Sequence, residues 1–227
     1  MKLKLINKKN EIGDVITFVL KPEMDLSWLP GQFFHYVLEH PDIDNRGLER
    51  WFTISSAPYE KNIMITTRIL AKDPSSFKSY LNLLPLGSEI EADGPKGKFI
   101  LDATGEFTVF IAGGIGITPF RSILLDAVEN KNKLDGVLLY ANRENLFYFK
   151  EELTSAIAKL RNFNIEYFAK KDIEADNILA SIPSGLKPTF YVSGPEPMVE
   201  AYVKLLLSMG FSDDQIKKDF FPGYDWH

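Results

Sequence analysis

The stretch VFIAGGIGITPFR, residues 109–121, constrains this chain more than any other. Four apolar residues run into three glycines within four positions, and Thr118-Pro119 then opens a helical pattern. That is the order strand, glycine turn, helix N-terminus. Glycine lets a backbone take positive φ and lets a ligand or another segment approach closely. Thr118 is expected to cap the helix and Pro119 to take its first position. The N–H groups and the dipole at such a start suit an anion, a pyrophosphate among them. An ordinary strand-to-helix turn is the plainer alternative, and it needs neither three glycines nor a Thr-Pro closure.

The hydrophobic period differs on the two sides of this stretch. Before it, segments 2–6, 15–20, 33–38, 51–55, 63–70 and 89–92 read as short strands, with one helix-like segment at 76–84. Pro30-Gly31 and Asp93-Gly94-Pro95 supply turns. Such a run predicts a six-stranded antiparallel β-barrel. From residue 106 onward strands alternate with helices: strands 108–112, 136–140, 165–168 and 189–193, and helices 119–130, 149–160 and 197–209. Ser212-Asp213-Asp214-Gln215 reads as a capping box opening a last short helix, followed by an aromatic tail. Apolar strands alternating with helices predict a Rossmann-like parallel sheet covered on both faces. The two domains are expected to be 1–103 and 104–227.

Composition excludes several classes. The chain has no cysteine, so disulfides, thiolate-held iron–sulfur clusters and a cysteine nucleophile are out. A net charge of −5 gives no sign of a nucleic-acid partner. No apolar run approaches the length of a membrane span, and the N-terminus lacks a signal-peptide core, so a cytoplasmic protein with no integral membrane segment is expected. His35, His40 and His227 are too scattered for a metal site. The carboxylates of 144–152 are expected to form a solvated helix face.

A second stretch, Arg50-Trp51-Phe52-Thr53-Ile54-Ser55-Ser56, places an arginine, an aromatic ring and hydroxyls within seven residues. In a strand Arg50, Phe52 and Ile54 share one face. These types suit a flat aromatic ligand carrying phosphate, although a barrel strand with one surface arginine accounts for them too. Further on stand Gly-Pro-Lys-Gly-Lys-Phe at 94–99, Gly-Gly-Ile-Gly-Ile-Thr-Pro at 113–119 and Ser-Gly-Pro-Glu-Pro-Met at 193–198. Four motifs in this order resemble the ferredoxin–NADP reductase family of flavoprotein oxidoreductases, over nearly the whole chain.

The resemblance implies FAD on the barrel and NADPH or NADH on the second domain. Arg50 would pair with the FAD pyrophosphate, the ring of Phe52 would lie against the flavin, and Thr53 would bring its hydroxyl near flavin N5, with Ile54 beside it. Phe52 replaces the usual tyrosine. Thr66, Thr67 and Arg68 match the strand along the flavin edge. Ser75 and Ser76 match the helix start that meets the FAD pyrophosphate, without the family's usual glycine; plain helix capping is the alternative. Gly113, Gly114, Gly116, Ile117, Thr118 and Pro119 match the loop under the NAD(P)H pyrophosphate. Ser193, Gly194, Pro195 and Met198 match the turn beside the nicotinamide, with Ser193 in place of the usual cysteine. Asn142 and Arg143 follow the second strand, where the adenosine ribose is read. Arg143 would hold a 2′-phosphate and favour NADPH, or be a surface arginine. Phe221 matches the family's C-terminal aromatic residue, with Tyr224 and Trp226 as further candidates. Thr53, Ser193 and Phe221 are the candidates for the transfer site.

The expected function is hydride transfer from NAD(P)H to FAD, and then electron transfer to a separate acceptor: a ferredoxin, a flavodoxin, another carrier or a small oxidant. A nucleotide-binding or electron-transfer subunit without turnover of its own is the rival.

Overall fold

A computed structural model describes residues 1–102 and 106–221. Tyr224, Trp226 and His227 lie outside the described residues. The chain divides into two compact units, Met1–Ile100 and Leu101–His227.

The first unit is an antiparallel sheet of six strands: β1 (Lys2–Asn10), β2 (Val15–Pro22), β3 (Phe33–Val37), β4 (Glu49–Thr53), β5 (Ile63–Arg68) and β6 (Glu89–Lys96). Their spatial order is β4-β3-β6-β1-β2-β5. Alternation drives it: Leu3 and Leu5 are buried while Lys2 and Lys4 are exposed. The sheet curls into a half-barrel. Beyond β4 the Ser55 N–H donates to the Met64 carbonyl of β5 at 3.0 Å, which joins its two edges. Phe18, Phe34, Tyr36, Phe52, Ile54 and Phe77 are among the side chains that fill the core. Helix α1 (Ser76–Leu83) contributes Phe77 and Leu81 to it. One expectation is corrected here. Strand β6 does not stop at Ala92 but runs through Gly94-Pro95, because the register against β3 shifts between Phe33 and His35 and a bulge accommodates a proline.

The second unit is a parallel sheet in the order β11-β10-β7-β8-β9. Its strands are β7 (Phe107–Gly113), β8 (Gly136–Asn142), β9 (Phe163–Ala169), β10 (Pro188–Pro195) and β11 (Ile216–Phe221). All seven residues of β7 are buried. Val109 and Ile111 pack with Ile178 of α4 (Ala175–Ser181) and with Met198, Val199 and Tyr202 of α5 (Glu196–Ser208). Phe110, on the other face, stacks on Phe120 of α2 (Thr118–Glu129) at 4.6 Å. Helix α3 (Lys150–Ile157) packs against α2. Helices therefore cover both faces, as the apolar strands require.

Three local expectations fail. Helix α4 has too little apolar periodicity to be seen in sequence. Ser212–Gln215 does form a capping box, but it closes a single 3₁₀ turn, and the chain then enters β11 rather than a helix. The start of the aromatic tail is thus the edge strand of the sheet. Thr118 is not the cap of α2: a 3₁₀ turn at Gly114–Ile117 feeds straight into the helix, so Thr118 is its first residue and Pro119 its second.

Candidate functional site

The chain runs β7, β8, β9 toward one edge of the parallel sheet, and then returns to place β10 on the other side of β7. The strand order reverses between β7 and β10, and ligands of open α/β sheets bind beyond the carboxyl ends of the strands at such a point. Both glycine motifs sit there. Gly113 ends β7, and Ser193-Gly194-Pro195 ends β10.

Close approach explains the glycines. A Cβ on Gly116 would lie 2.1 Å from the Ser193 carbonyl oxygen, and one on Gly194 would lie 2.8 Å from Met198 Sδ. Gly114 is needed for another reason: its φ is +53°. The two turns are therefore packed backbone to backbone. Ile117, Thr118 and Ser193 are buried, as are Pro119 and Met198. Pro195 caps α5, and Glu196 in its first turn suits the helix dipole. Ser193 donates from Oγ to Asp219 Oδ2 of β11 at 3.3 Å. Phe221 stands opposite Pro195 in the β10–β11 ladder.

At the end of β8, Asn142 is buried and its Nδ2 donates to the Leu146 carbonyl at 2.5 Å, which folds the following loop back on itself. Arg143 is exposed on that loop. Tyr140 is fully buried; its hydroxyl donates to the Gly114 carbonyl at 3.0 Å and accepts from the Tyr148 N–H at 3.2 Å. Burial pushes that hydroxyl's pKa well above the ordinary phenol value, against the Tyr148 N–H, which lowers it. The 144–152 carboxylates are not all a solvated face. Glu152 binds the buried Arg121 of α2 through two bonds of 2.7 Å, and Arg121 lies over the Phe149 ring at 5.2 Å. Neither Arg121 nor Tyr140 carries a motif that would mark it in sequence.

In the first unit the structure brings Arg50 and Ser75 together. Arg50 Nη2 donates to Ser75 Oγ at 2.8 Å. Its Nη1 donates to the carbonyls of Arg46 (2.7 Å), Gly47 (3.3 Å) and Glu49 (2.5 Å), and its guanidinium carbon lies 5.3 Å from the Phe77 ring centre. Ser75 occupies the cap position of α1 but makes no cap bond. Asp44 does that work: its Oδ2 accepts from the Ser76 N–H at 2.7 Å and from Arg46 Nε at 3.0 Å. The Ser76 hydroxyl accepts from the Asp44 N–H at 3.1 Å and bonds His40 Nε2 at 2.9 Å. Burial alone would raise the Asp44 carboxyl's pKa, but the Ser76 N–H and Arg46 outweigh it and hold the group well below the usual carboxylate range.

The other residues of this unit are placed less openly. The Phe52 ring packs in the core, 5.9 Å from Phe77 and 5.7 Å from Tyr36. Thr53, Ile54, Thr66 and Thr67 are buried. Thr66 Oγ1 lies between the Thr17 and Ser55 hydroxyls, 2.9 Å from each, and so ties three strands. Arg68 clamps the Asp14 carboxylate with contacts of 3.1–3.2 Å. Tyr36, which shares a strand face with Phe34 and pairs across to Arg50, has a buried hydroxyl without a hydrogen-bond partner among the described residues. No group of three or more candidate metal ligands occurs among the described residues.

The family model "Oxidoreductase NAD-binding domain" matches residues 110–204, which include the glycine turn, the β8 loop and the β10 turn. The FAD/NAD-binding domain of a nitric oxide dioxygenase from Vibrio cholerae superposes with a TM-score of 0.83 at 22% identity, over 97% of this chain and 98% of that one. Ferredoxin–NADP+ reductase from Plasmodium falciparum gives 0.79 at 18% identity, over 97% and 95%. The chain belongs to the ferredoxin–NADP reductase-like family. One component of the Na+-translocating NADH-quinone reductase of Klebsiella pneumoniae is 25% identical to this reductase-like chain, over 91% of the chain and 56% of the relative. The chain spans little more than half the length of such curated relatives. Its family is that of two-domain FAD and NAD(P)H oxidoreductases, and no described helix is long and apolar enough to cross a membrane.

Proposed function

We propose that this chain is an FAD-dependent NAD(P)H oxidoreductase that takes a hydride from NAD(P)H and passes electrons to a separate acceptor such as a ferredoxin or flavodoxin. The observation that carries this reading is the packing of Gly116 against Ser193 and Gly194 at the strand-order reversal. It leaves a helix start and a bare backbone turn side by side, which fits a dinucleotide's pyrophosphate. In the barrel, Arg50 and Ser75 at the start of α1 fit the flavin's pyrophosphate. Asp44 already takes the Ser76 N–H, so Arg50 and Ser75 rather than Ser76 are assigned to phosphate. Bound flavin supplies the hydride and electron chemistry, and the chain's part is to bind, orient and exclude water. Thr53, Ser193 and Phe221 are assigned to the transfer site, and Asn142 and Arg143 to the adenosine ribose. The domain assignment is 1–103 for flavin and 104–227 for NAD(P)H, in a cytoplasmic protein.

The purified protein is expected to be yellow and to bleach anaerobically with NADPH faster than with NADH. A colourless preparation that takes up no FAD ends this reading. Arg143→Ala is expected to lower the NADPH/NADH ratio of bleaching rates about ten-fold, the usual scale of one charge-assisted phosphate contact. An unchanged ratio removes Arg143 from the site. The resemblance to one component of a larger quinone reductase, and the length of such relatives, favour a second reading: an electron-transfer subunit that turns over only with its partners. Bleaching by NAD(P)H without turnover on any soluble acceptor would select it.

A further inference from the structure

We propose that Tyr140 is a positioning residue that locks the glycine turn after β7 to the loop after β8, so that the two halves of a dinucleotide are held as one rigid site. The inference rests on reading this unit as the NAD(P)H site. The Tyr140 hydroxyl is enclosed by protein and makes two bonds, each to a different loop. It donates to the carbonyl of Gly114, the one residue of the turn in the left-handed region, at φ +53°. That carbonyl and the Ile115 N–H belong to one planar trans peptide and point in opposite directions. Holding the oxygen on Tyr140 therefore aims the Ile115 N–H out of the opposite side of the turn, as an anion site at the start of α2 requires. A glycine peptide without this bond has little to stop it rotating.

The second bond ties in the other loop. The same hydroxyl accepts from the Tyr148 N–H, and Tyr148 follows directly on the segment that Asn142 folds back through Leu146. Ring packing fixes the hydroxyl's own position: Tyr140 meets Phe147 edge-on at 5.1 Å and Tyr167 at 6.2 Å. Its burial keeps it protonated across the working pH range, so it is a permanent donor to Gly114. The neighbouring strands place it beside the turn, since Tyr140 pairs with Ala112 in the β7–β8 ladder.

Tyr140→Phe keeps the ring and removes only the hydroxyl. ADP-ribose, which carries both the diphosphate and the adenosine, is the probe. Its binding is measured by calorimetry, with backbone amide exchange and amide shifts followed by NMR in the same protein. The variant is expected to keep the wild-type fold and flavin spectrum, to bind ADP-ribose about five-fold more weakly, the scale of one neutral hydrogen bond, and to exchange faster at both the Ile115 and Tyr148 amides. The Ile115 amide shift on adding ADP-ribose is expected to shrink. Binding within two-fold of wild type, or faster exchange at Tyr148 alone, overturns the proposal. Failure of the wild-type protein to bind ADP-ribose overturns the nucleotide-site reading instead, and the exchange measurement still decides whether the hydroxyl joins the two loops.

Discussion

The two candidate sites are built from different material. After β7 and β10 the chain offers backbone: two glycine turns so close that neither tolerates a Cβ at the contact. At the start of α1 it offers side chains: Arg50, Ser75, Asp44 and Arg46, drawn from segments that are 25 to 32 residues apart. A site made of backbone has its residue types dictated by sterics, so it can be recognised from sequence. A site made of side chains depends on which partner each finds, and a charged group has many possible partners.

Substitutions can break or sharpen this contrast. The largest effect is expected at Gly116. Gly116→Ala drives a methyl into the Ser193 carbonyl and should cost about 3 kcal/mol or more in urea unfolding, as severe overpacking does. Gly114→Ala has open space around it and only the left-handed backbone to pay for, about 1 kcal/mol. If the two glycines cost the same, the close approach is not what fixes Gly116.

On the side-chain site, Asp44→Asn removes a charged partner from the first turn of α1. A loss of about 0.5–1 kcal/mol at pH 7 is expected. Asp44's pKa is depressed in the fold, so its contribution is present above the unfolded carboxylate value and is lost as pH falls toward the folded one. The gap between wild type and variant should therefore close below about pH 4. A gap independent of pH would show that the carboxylate charge is not what holds α1.

The smallest effect tests the orphan hydroxyl. Tyr36→Phe removes a buried group that has no partner among the described residues, and should raise the stability of the flavin-free protein by up to about 1 kcal/mol. If the same change weakens FAD retention, the hydroxyl belongs to the flavin site.

Sequence reasoning followed this divide. Gly113, Gly114, Gly116 and Gly194 stand out in the chain, and the structure gives each motif the close contact that glycine allows. Arg50 and Ser75 were also visible, and they do meet. Arg68 looked equally suitable but clamps Asp14, 54 residues away. Ser76 looked like Ser75 but is engaged by Asp44 and His40 across a loop of undistinguished composition. Nothing in the local sequence separates these cases, because a salt bridge between β5 and the turn before β2 exists only once those strands pair.

Sequence alone determined the two-unit architecture, through a period of two giving way to strand–helix alternation, and it located the glycine turns, since only one residue type fits them. Tertiary structure decided the rest. It made the end of the chain an edge strand beside β10, because a parallel ladder can recruit any extended segment its neighbours shelter. It also chose the partner of each polar side chain, because a guanidinium or a carboxylate is satisfied by whichever opposite group the fold delivers within hydrogen-bond reach.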